Sequence, residues 1–375
     1  MKIAIPLPFF HKHGGIERHT YELVENWKYK HEIHILSYEW EPIEGVHFHR
    51  VPGKNLPEIV RRIWFLFYTW YVLRRESWDI ILNNGCGQSL IQDIIITASV
   101  HKAWMESFRR LKLRRFFLNP LHYLTLFVEW FNYRFHRYKK IICVSRFIQD
   151  ELCTYHHVAK EDTKVIYLGV NTEEFSLEKR LFLREKARQK YGFGSKEKVL
   201  LFPAHEWRRK GIDILLEVLS QLSDDYKLLI VGNPSHREEA FYRKRVLSLE
   251  LQSRLVFGGL CHTMQEAYAA ADVMIFPSTF DAFALVVLEA MSSGLPVITV
   301  PTVGASELIR HGGNGFVVKE WNDIRGIKGI LELLFSDENF YEKICYEARS
   351  TALEWDWKKV VEETENILEE IRVCL

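Results

Sequence analysis

Pro277-Ser-Thr-Phe-Asp281-Ala-Phe-Ala-Leu-Val-Val-Leu-Glu289-Ala-Met-Ser-Ser-Gly294-Leu-Pro296-Val-Ile298 decides how the rest of this chain is read. It begins as one apolar run, Asp272–Phe276, ends, and it closes as another, Pro296–Val300, begins. Between them Leu285–Ser293 is apolar and long enough for a helix, and Gly294 stops it. Strand, loop, helix, glycine and strand form the repeating unit of a parallel sheet. The unit also carries two carboxylates, Asp281 at the end of the loop and Glu289 about one turn into the helix. They bracket the backbone amides of Phe283, Ala284 and Leu285 at a helix N-terminus. Carboxylates accept from sugar hydroxyls and such amides donate to phosphate or sugar oxygens, so the pattern suits a phosphorylated polyol.

Working outward, the same grammar holds on the N-terminal side. Val199–Phe202, Lys227–Val231 and Arg254–Phe257 are strand candidates, with helices expected over Gly211–Leu222, Glu238–Leu251 and Thr263–Ala270. Gly169–Lys198 is charged and poor in strand pattern, and is read as a linker into this second domain. Before it lies another set of short apolar runs: Lys2–Pro8, Glu32–Ser37, Val46–Val51, Asp79–Asn83, Asp93–Val100 and Lys140–Val144. Trp355–Cys374 closes the chain as an amphipathic helix. Strands alternating with helices predict parallel sheets covered on both faces. The fold class is therefore α/β, with two Rossmann-like domains: 1–167, joined by the last helix at about 356–375, and 168–355.

Composition agrees. A chain of 375 residues, 47% hydrophobic and 26% charged, is two ordinary domains, neither disordered nor collagen-like. Residues 1–165 carry 24 Lys+Arg against 17 Asp+Glu, and the remainder 26 against 32, so the first half is set to meet something anionic. That asymmetry is too mild for a nucleic-acid binder. Six cysteines without a C-x-x-C pair, and no apolar leader, point to a reduced, cytoplasmic protein. The apolar run Ile63–Leu73, bounded by Arg61-Arg62 and Arg74-Arg75, is too short to span a bilayer.

Two further motifs carry chemistry. Gly14-Gly15 follows the first strand and opens a helix, so amides can face an anion unobstructed. Arg208-Arg209-Lys210-Gly211 closes the loop after Val199–Phe202, where cations can clamp a diphosphate. Neither G-x-G-x-x-G nor G-x-x-x-x-G-K-[ST] occurs, which argues against hydride transfer and P-loop hydrolysis. No D-x-D element is present, and His11-x-His13 and His47-x-His49 lack supporting ligands at convincing spacing, so no metal is expected.

The D-x7-E spacing followed by Ala290-Met-Ser-Ser-Gly-Leu-Pro-Val-Ile298 resembles the E-x7-E signature of the retaining glycosyltransferases of family four. The likeness extends over nearly the whole chain, through Gly14-Gly15, Val144-Ser145, Gly169-Val-Asn-Thr-Glu-Glu-Phe175, Lys210-Gly211 and Gly304 to Gly315-Phe-Val-Val318. Arginine directly before the lysine is similar to the lipopolysaccharide-core glucosyltransferases. The resemblance implies the GT-B fold, its two domains facing a central cleft, with the last helix crossing back to the first domain. It implies that Glu289 binds ribose hydroxyls, that Asp281 and His101 of Ser99-Val-His101 lie at the donor sugar, and that Arg208, Arg209 and Lys210 neutralise the diphosphate. Asp281 departs from the family's Glu, and Ala204-His205 stands where Gly-Arg is usual. The implied reaction is transfer of a hexose, glucose by closest pattern, from a nucleotide sugar to a saccharide or lipid-linked acceptor, with retention and without cofactor or metal. UDP follows from family frequency. A nucleotide-sugar 2-epimerase and a non-catalytic adaptor of the same fold are the competing readings.

Between Lys102 and Lys140 the basic residues Arg109, Arg110, Lys112, Arg114 and Arg115 precede a series of aromatics including Tyr123, Phe127, Trp130 and Phe135. This suits an anionic inner-membrane surface or single-stranded nucleic acid, and the positive excess of the first half favours the membrane, unless the aromatics are core and the charges a solvated face.

Overall fold

The computed structural model describes residues 1–12, 14–85, 88–111, 117–261 and 263–373. His13, Lys112, Arg114 and Arg115, named above, lie outside the described residues, as do two of the six cysteines, Cys86 and Cys374. The chain forms two compact units, Met1–Leu168 with Trp357–Leu375, and Gly169–Asp356.

Unit 1 runs β1 (Lys2–Pro6), β2 (Phe9–Phe10), α1 (Gly15–Trp27), β3 (Glu32–Ser37), β4 (Glu39–Trp40), β5 (Val46–Arg50), α2 (Glu58–Leu73), β6 (Ile80–Asn84) and β7 (Ile94–Thr97), then α3 (His101–Arg110), α4 (Pro120–Arg134), β8 (Lys140–Cys143), α5 (Arg146–His156) and β9 (Thr163–Val165). Its main sheet has the order β5-β3-β1-β6-β7-β8-β9, all pairs parallel. Ile3, Ala4 and Ile5 in the centre are wholly buried, as are Ile94, Ile95 and Ile96. Strands covered on both faces by helices need apolar residues at every position, which is why these runs do not alternate.

Unit 2 runs α6 (Leu177–Tyr191), β10 (Lys198–Pro203), α7 (Trp207–Lys210), α8 (Ile212–Ser220), β11 (Tyr226–Val231), α9 (His236–Ser248), β12 (Leu255–Gly259), α10 (Met264–Ala270), β13 (Val273–Phe276), α11 (Leu285–Ser292), β14 (Val297–Thr299), β15 (Phe316–Val317), α12 (Ile324–Leu334) and α13 (Glu338–Leu353). Its parallel sheet has the order β12-β11-β10-β13-β14-β15. The closing helix, α14 (Trp357–Val373), belongs to unit 1, where Trp357 stacks on buried His19 with ring centroids 5.9 Å apart.

The stretch read as a linker contains α6, a correction with a clear physical cause. Two of the three buried residues of α6 are arginines, Ala187 being the third. Arg180 and Arg188 are 6% and 5% exposed. Arg180 donates to the carbonyls of Tyr268 (3.3 Å), Ala271 (3.0 Å) and Gly294 (2.8 Å). Arg188 reaches Ala270 O (3.2 Å) and Asp272 Oδ2 (3.2 Å), and Arg184 bonds Asp272 as well. These guanidinium groups satisfy the orphan carbonyls ending α10 and oppose its negative pole. A hydropathy pattern registers such a face as solvated. Arg61, Arg62 and the run Ile63–Leu73 lie on α2, with Arg74 and Arg75 just past its end, and no helix among the described residues is long and apolar enough to cross a membrane.

Candidate functional site

In unit 2 the site is assembled by the loops after β10 and β13. Trp207 Nε1 donates to Ala204 O at 2.9 Å, turning the chain into α7. Gly211 ends α7 at φ 96°, where an added Cβ would lie 2.5 Å from the Pro277 carbonyl oxygen. Only glycine lets α7 close this tightly on the loop after β13. That closure sets Lys210 Nζ on Asp281 Oδ2 in a salt bridge whose side chains are only 13% and 16% exposed. Burial pulls the Lys210 pKa below the usual lysine range, against the opposing pull of the Asp281 charge. Burial alone would raise the Asp281 pKa, but the charges of Lys210 and Arg209 together hold it below the ordinary value.

The Asp281 loop is strung on the segment after β14. Asp281 N donates to Thr302 O (2.8 Å), Gly304 N to Asp281 O (3.0 Å) and Ala305 N to Phe283 O (2.8 Å). Ala284 takes a left-handed φ of 68°, uncommon without glycine, and caps α11. Of the three amides offered to a ligand by the sequence, that of Phe283 donates to Asp281 Oδ1 at 3.3 Å. Those of Ala284 and Leu285 stand at the head of α11, where first-turn N–H groups have no intrahelical acceptor.

The other predicted residues have more specific places. Arg209, 7% exposed, is a brace: it bonds Glu206 (Nε to Oε2, 3.0 Å) and the Phe280 carbonyl, and its own carbonyl accepts from Thr279 N and Oγ1, both at 3.0 Å. Its guanidinium meets protein acceptors, and Lys210 is the cation placed at Asp281. Arg208 is exposed, its backbone N–H donating to Glu238 Oε1 at 2.8 Å. His205, where the family has Arg, accepts from Asn233 N at 2.9 Å and ties the β10 loop to the β11 loop. Glu289 is 6% exposed and accepts from the Tyr268 hydroxyl at 2.8 Å. Tyr268, wholly buried on α10, went unread in the sequence; its only signal is a large polar-tipped side chain inside the run Ala267–Ala271.

Unit 1 carries its own candidates. Gly14 caps α1 with φ 95°, and a Cβ there would lie 2.6 Å from Glu17 Oε2. The Glu17 carboxylate thus lies beside the turn the sequence offers to an anion, where it complements the helix dipole. His101 opens α3. Its backbone N–H donates to both oxygens of Glu129 (2.9 and 3.1 Å), its ring stacks on Trp104 at 5.1 Å, and Nε2 lies 3.2 Å from His122 Nδ1. Burial, then the charges of His122 and Arg62, push its pKa down to about 4, so the imidazole is neutral near pH 7. Glu129 is buried, its pKa raised by burial against the pull of His156, whose Nε2 lies 3.3 Å away. Glu129 and His122 hold His101 from α4, an element the sequence offered for membrane contact or for core.

α2 and α4 bury one apolar face, with Phe65, Leu73 and Val128 in the core, and leave large apolar residues exposed on another. Ile63, Phe67, Tyr123, Phe127, Trp130 and Phe135 are all exposed, while Arg62 Nη1 reaches Thr125 Oγ1 at 3.5 Å between the two helices. The alternative that the insert's aromatics are core holds for Tyr133 but not for these. Arg109 and Arg110 are exposed on α3.

Residues 13–174 match the model of Glycosyltransferase Family 4, and residues 184–351 that of Glycosyl transferases group 1. An uncharacterized glycosyltransferase of Methanocaldococcus jannaschii is 30% identical over 94% of each chain. The crystal structure of WaaG, a glycosyltransferase involved in lipopolysaccharide biosynthesis, superposes with a TM-score of 0.80 at 20% identity, covering 98% of this chain and 99% of that one. Anabaena HepE in complex with UDP and glucose gives 0.74 at 19% identity, with 98% and 99% covered.

Proposed function

We propose the following reaction for this chain, which belongs to the glycosyltransferases of GT-B fold, with a family 4 domain followed by a group 1 domain. It moves a hexose, glucose or a close relative, from a nucleoside-diphosphate sugar to a saccharide or lipid-linked acceptor with retention of configuration. Unit 2 binds the nucleotide sugar and unit 1 the acceptor. The observation that carries this reading is the Lys210–Asp281 pair, a cation and a carboxylate held together in a largely buried site beside the head of α11. As the glycosidic bond breaks, negative charge grows on the leaving diphosphate. Lys210 and the α11 amides stabilise it, and a preorganised group of this kind supplies about 3–4 kcal/mol of barrier lowering. Asp281 accepts from donor-sugar hydroxyls, Glu289 holds the ribose hydroxyls, and Tyr268 keeps its carboxylate oriented. His101, in unit 1, offers a neutral imidazole that can hydrogen-bond a sugar hydroxyl. Lys210 supplies the positive charge, so turnover proceeds without a catalytic metal.

UDP is the favoured nucleotide, because HepE was solved with UDP and glucose. Thermal unfolding of the wild type and Lys210→Ala with UDP, GDP, ADP and NAD, in chelator, tests the site. Ligand at about 100 times its Kd stabilises by ~2.7 kcal/mol, so UDP should raise the wild-type midpoint visibly and the variant's much less. Equal shifts in both proteins, or none, would overturn the assignment.

The exposed aromatics of α2 and α4 with exposed Arg109, Arg110 and Arg134 support peripheral docking on an anionic membrane surface, where a lipid-linked acceptor lies. Co-sedimentation with vesicles containing anionic lipid should fall in Phe127→Ser/Trp130→Ser and in Arg109→Gln/Arg110→Gln. Binding that is indifferent to both pairs would reject this role.

A further inference from the structure

At the edge of the unit 1 sheet, three imidazoles and a carboxylate converge on a patch that the reaction above does not use. β3 and β5 pair with His34 opposite His47 and Leu36 opposite His49. Alternation along a strand then puts Glu32, His34, His47 and His49 on one face. The His34 ring stacks on His47 at 4.7 Å and on His49 at 5.1 Å, with Trp78 edge-on at 5.0 Å. His34 Nε2 lies 2.8 Å from Glu32 Oε1, and its Nδ1 2.8 Å from His49 Nε2. One ligand atom from each of Glu32, His34 and His47 falls within a span of 4.8 Å. The supporting ligands that His47-x-His49 lacks in its own segment therefore come from the neighbouring strand, at Glu32 and His34.

A neutral imidazole has one N–H and one lone pair. If the His34 proton sits on Nδ1 and is donated to His49, the Nε2 lone pair faces the Glu32 carboxylate. Two electron pairs at that distance need a cation between them, either a proton or a metal ion. We infer that Glu32, His34 and His47 form a divalent transition-metal site of the zinc class, with water completing the coordination and His49 fixing the His34 tautomer. The donor set excludes the hard cations, because Mg²⁺ and Ca²⁺ take oxygen ligands whereas two imidazoles and one carboxylate suit Zn²⁺. Bonds of about 2.0–2.2 Å put tetrahedral ligand atoms roughly 3.4 Å apart. The ligand atoms here are separated by 2.8 Å, between His34 Nε2 and Glu32 Oε1, up to at most 4.8 Å, so Glu32 must back away from His34 by roughly 0.6 Å and a longer pair close by at most about 1.4 Å. Glu32 and His47 are exposed and able to move, while His34 stays fixed in its buried stack. The nearby Lys2 ammonium is occupied by Glu76 at 3.1 Å and lies over Trp78. His49 acts as the outer partner that metal-bound histidines generally require. Because β5 is the last strand of the sheet, the bound ion clips an edge strand to its neighbour.

The test uses the full chain without an affinity tag, stripped by chelator and titrated calorimetrically with ZnCl₂, then with Co²⁺ followed by its visible absorption. One tight equivalent is expected, with a raised thermal midpoint and a tetrahedral Co²⁺ spectrum. Glu32→Gln and His47→Asn, both at exposed positions, should each weaken binding at least tenfold, and His49→Phe about 10–100-fold. His236→Gln, at an exposed histidine on α9, should change nothing. Failure to bind one equivalent, or an equivalent whose affinity moves less than threefold in both Glu32→Gln and His47→Asn, overturns the inference.

Discussion

Replacing Lys210 by methionine separates what the Lys210–Asp281 pair does for the fold from what it does for the reaction. Methionine keeps most of the length of the side chain but leaves the Asp281 carboxylate without its ammonium, in a site where both side chains are less than one-fifth exposed. Breaking a buried pair from one side typically destabilises by about 3–5 kcal/mol, and the residual exposure here places the expected value near the lower end, ~3 kcal/mol. Replacing both partners, as Lys210→Met/Asp281→Asn, removes the orphaned charge. The Phe283 amide still has an acceptor, so the double variant should recover more than half of the loss. Activity should not follow stability. Both variants lack the cation at the diphosphate, so donor turnover should drop by roughly 10²–10³-fold in each. Urea denaturation followed by circular dichroism, beside an assay of nucleotide-sugar hydrolysis, reads both quantities. A single variant losing less than about 1 kcal/mol would refute the buried-pair reasoning. A double variant that regains turnover along with stability would refute the role of Lys210 as the leaving-group cation.

Tyr268→Phe deletes the hydroxyl that Glu289 accepts from. Burying a carboxylate with one fewer donor should destabilise by about 1–3 kcal/mol and weaken nucleoside-diphosphate binding about tenfold, and a calorimetric Kd unchanged from wild type would remove Tyr268 from the site. His19, sealed under Trp357, has its pKa pushed down to about 4 by burial. The unfolded chain therefore takes up a proton, at the ordinary value of 6.5, that the folded chain refuses. Its contribution is complete above that ordinary value and is lost as pH falls from there towards about 4, amounting to roughly 2 kcal/mol at about pH 5. Thermal midpoints measured at about pH 7 and about pH 5 should fall less in His19→Gln than in the wild type, and equal falls would show that His19 is not a source of the acid sensitivity.

The central strands of the two sheets were legible because the physics that sets them is local. A strand buried on both faces has to be apolar throughout, as Ile94–Thr97 and Val273–Phe276 are, and a glycine has to end α7 where φ is positive. Lys210, Asp281 and Glu289, the residues proposed for the donor site, were also singled out from spacing beside a helix N-terminus. What α6 would do was not, because two of its three buried residues are arginines whose partners include carbonyls on α10, nearly ninety positions along the chain. A hydropathy pattern scores the side chain and cannot see the acceptor waiting for it.

The sequence by itself determined that this protein has two parallel-sheet units with a glycine turn after the first strand, a basic segment after Val199–Phe202 and a D-x7-E helix, since each is fixed by residues within one turn or one strand of each other. Tertiary structure alone decided the rest. It paired Lys210 with Asp281, turned Arg209 inward as a brace, set Tyr268 on Glu289 and Glu129 on His101, and laid His47 and His49 against Glu32 and His34. Each of these contacts joins different elements, and the order of strands in a sheet, which chooses the neighbours, is not written in any one segment.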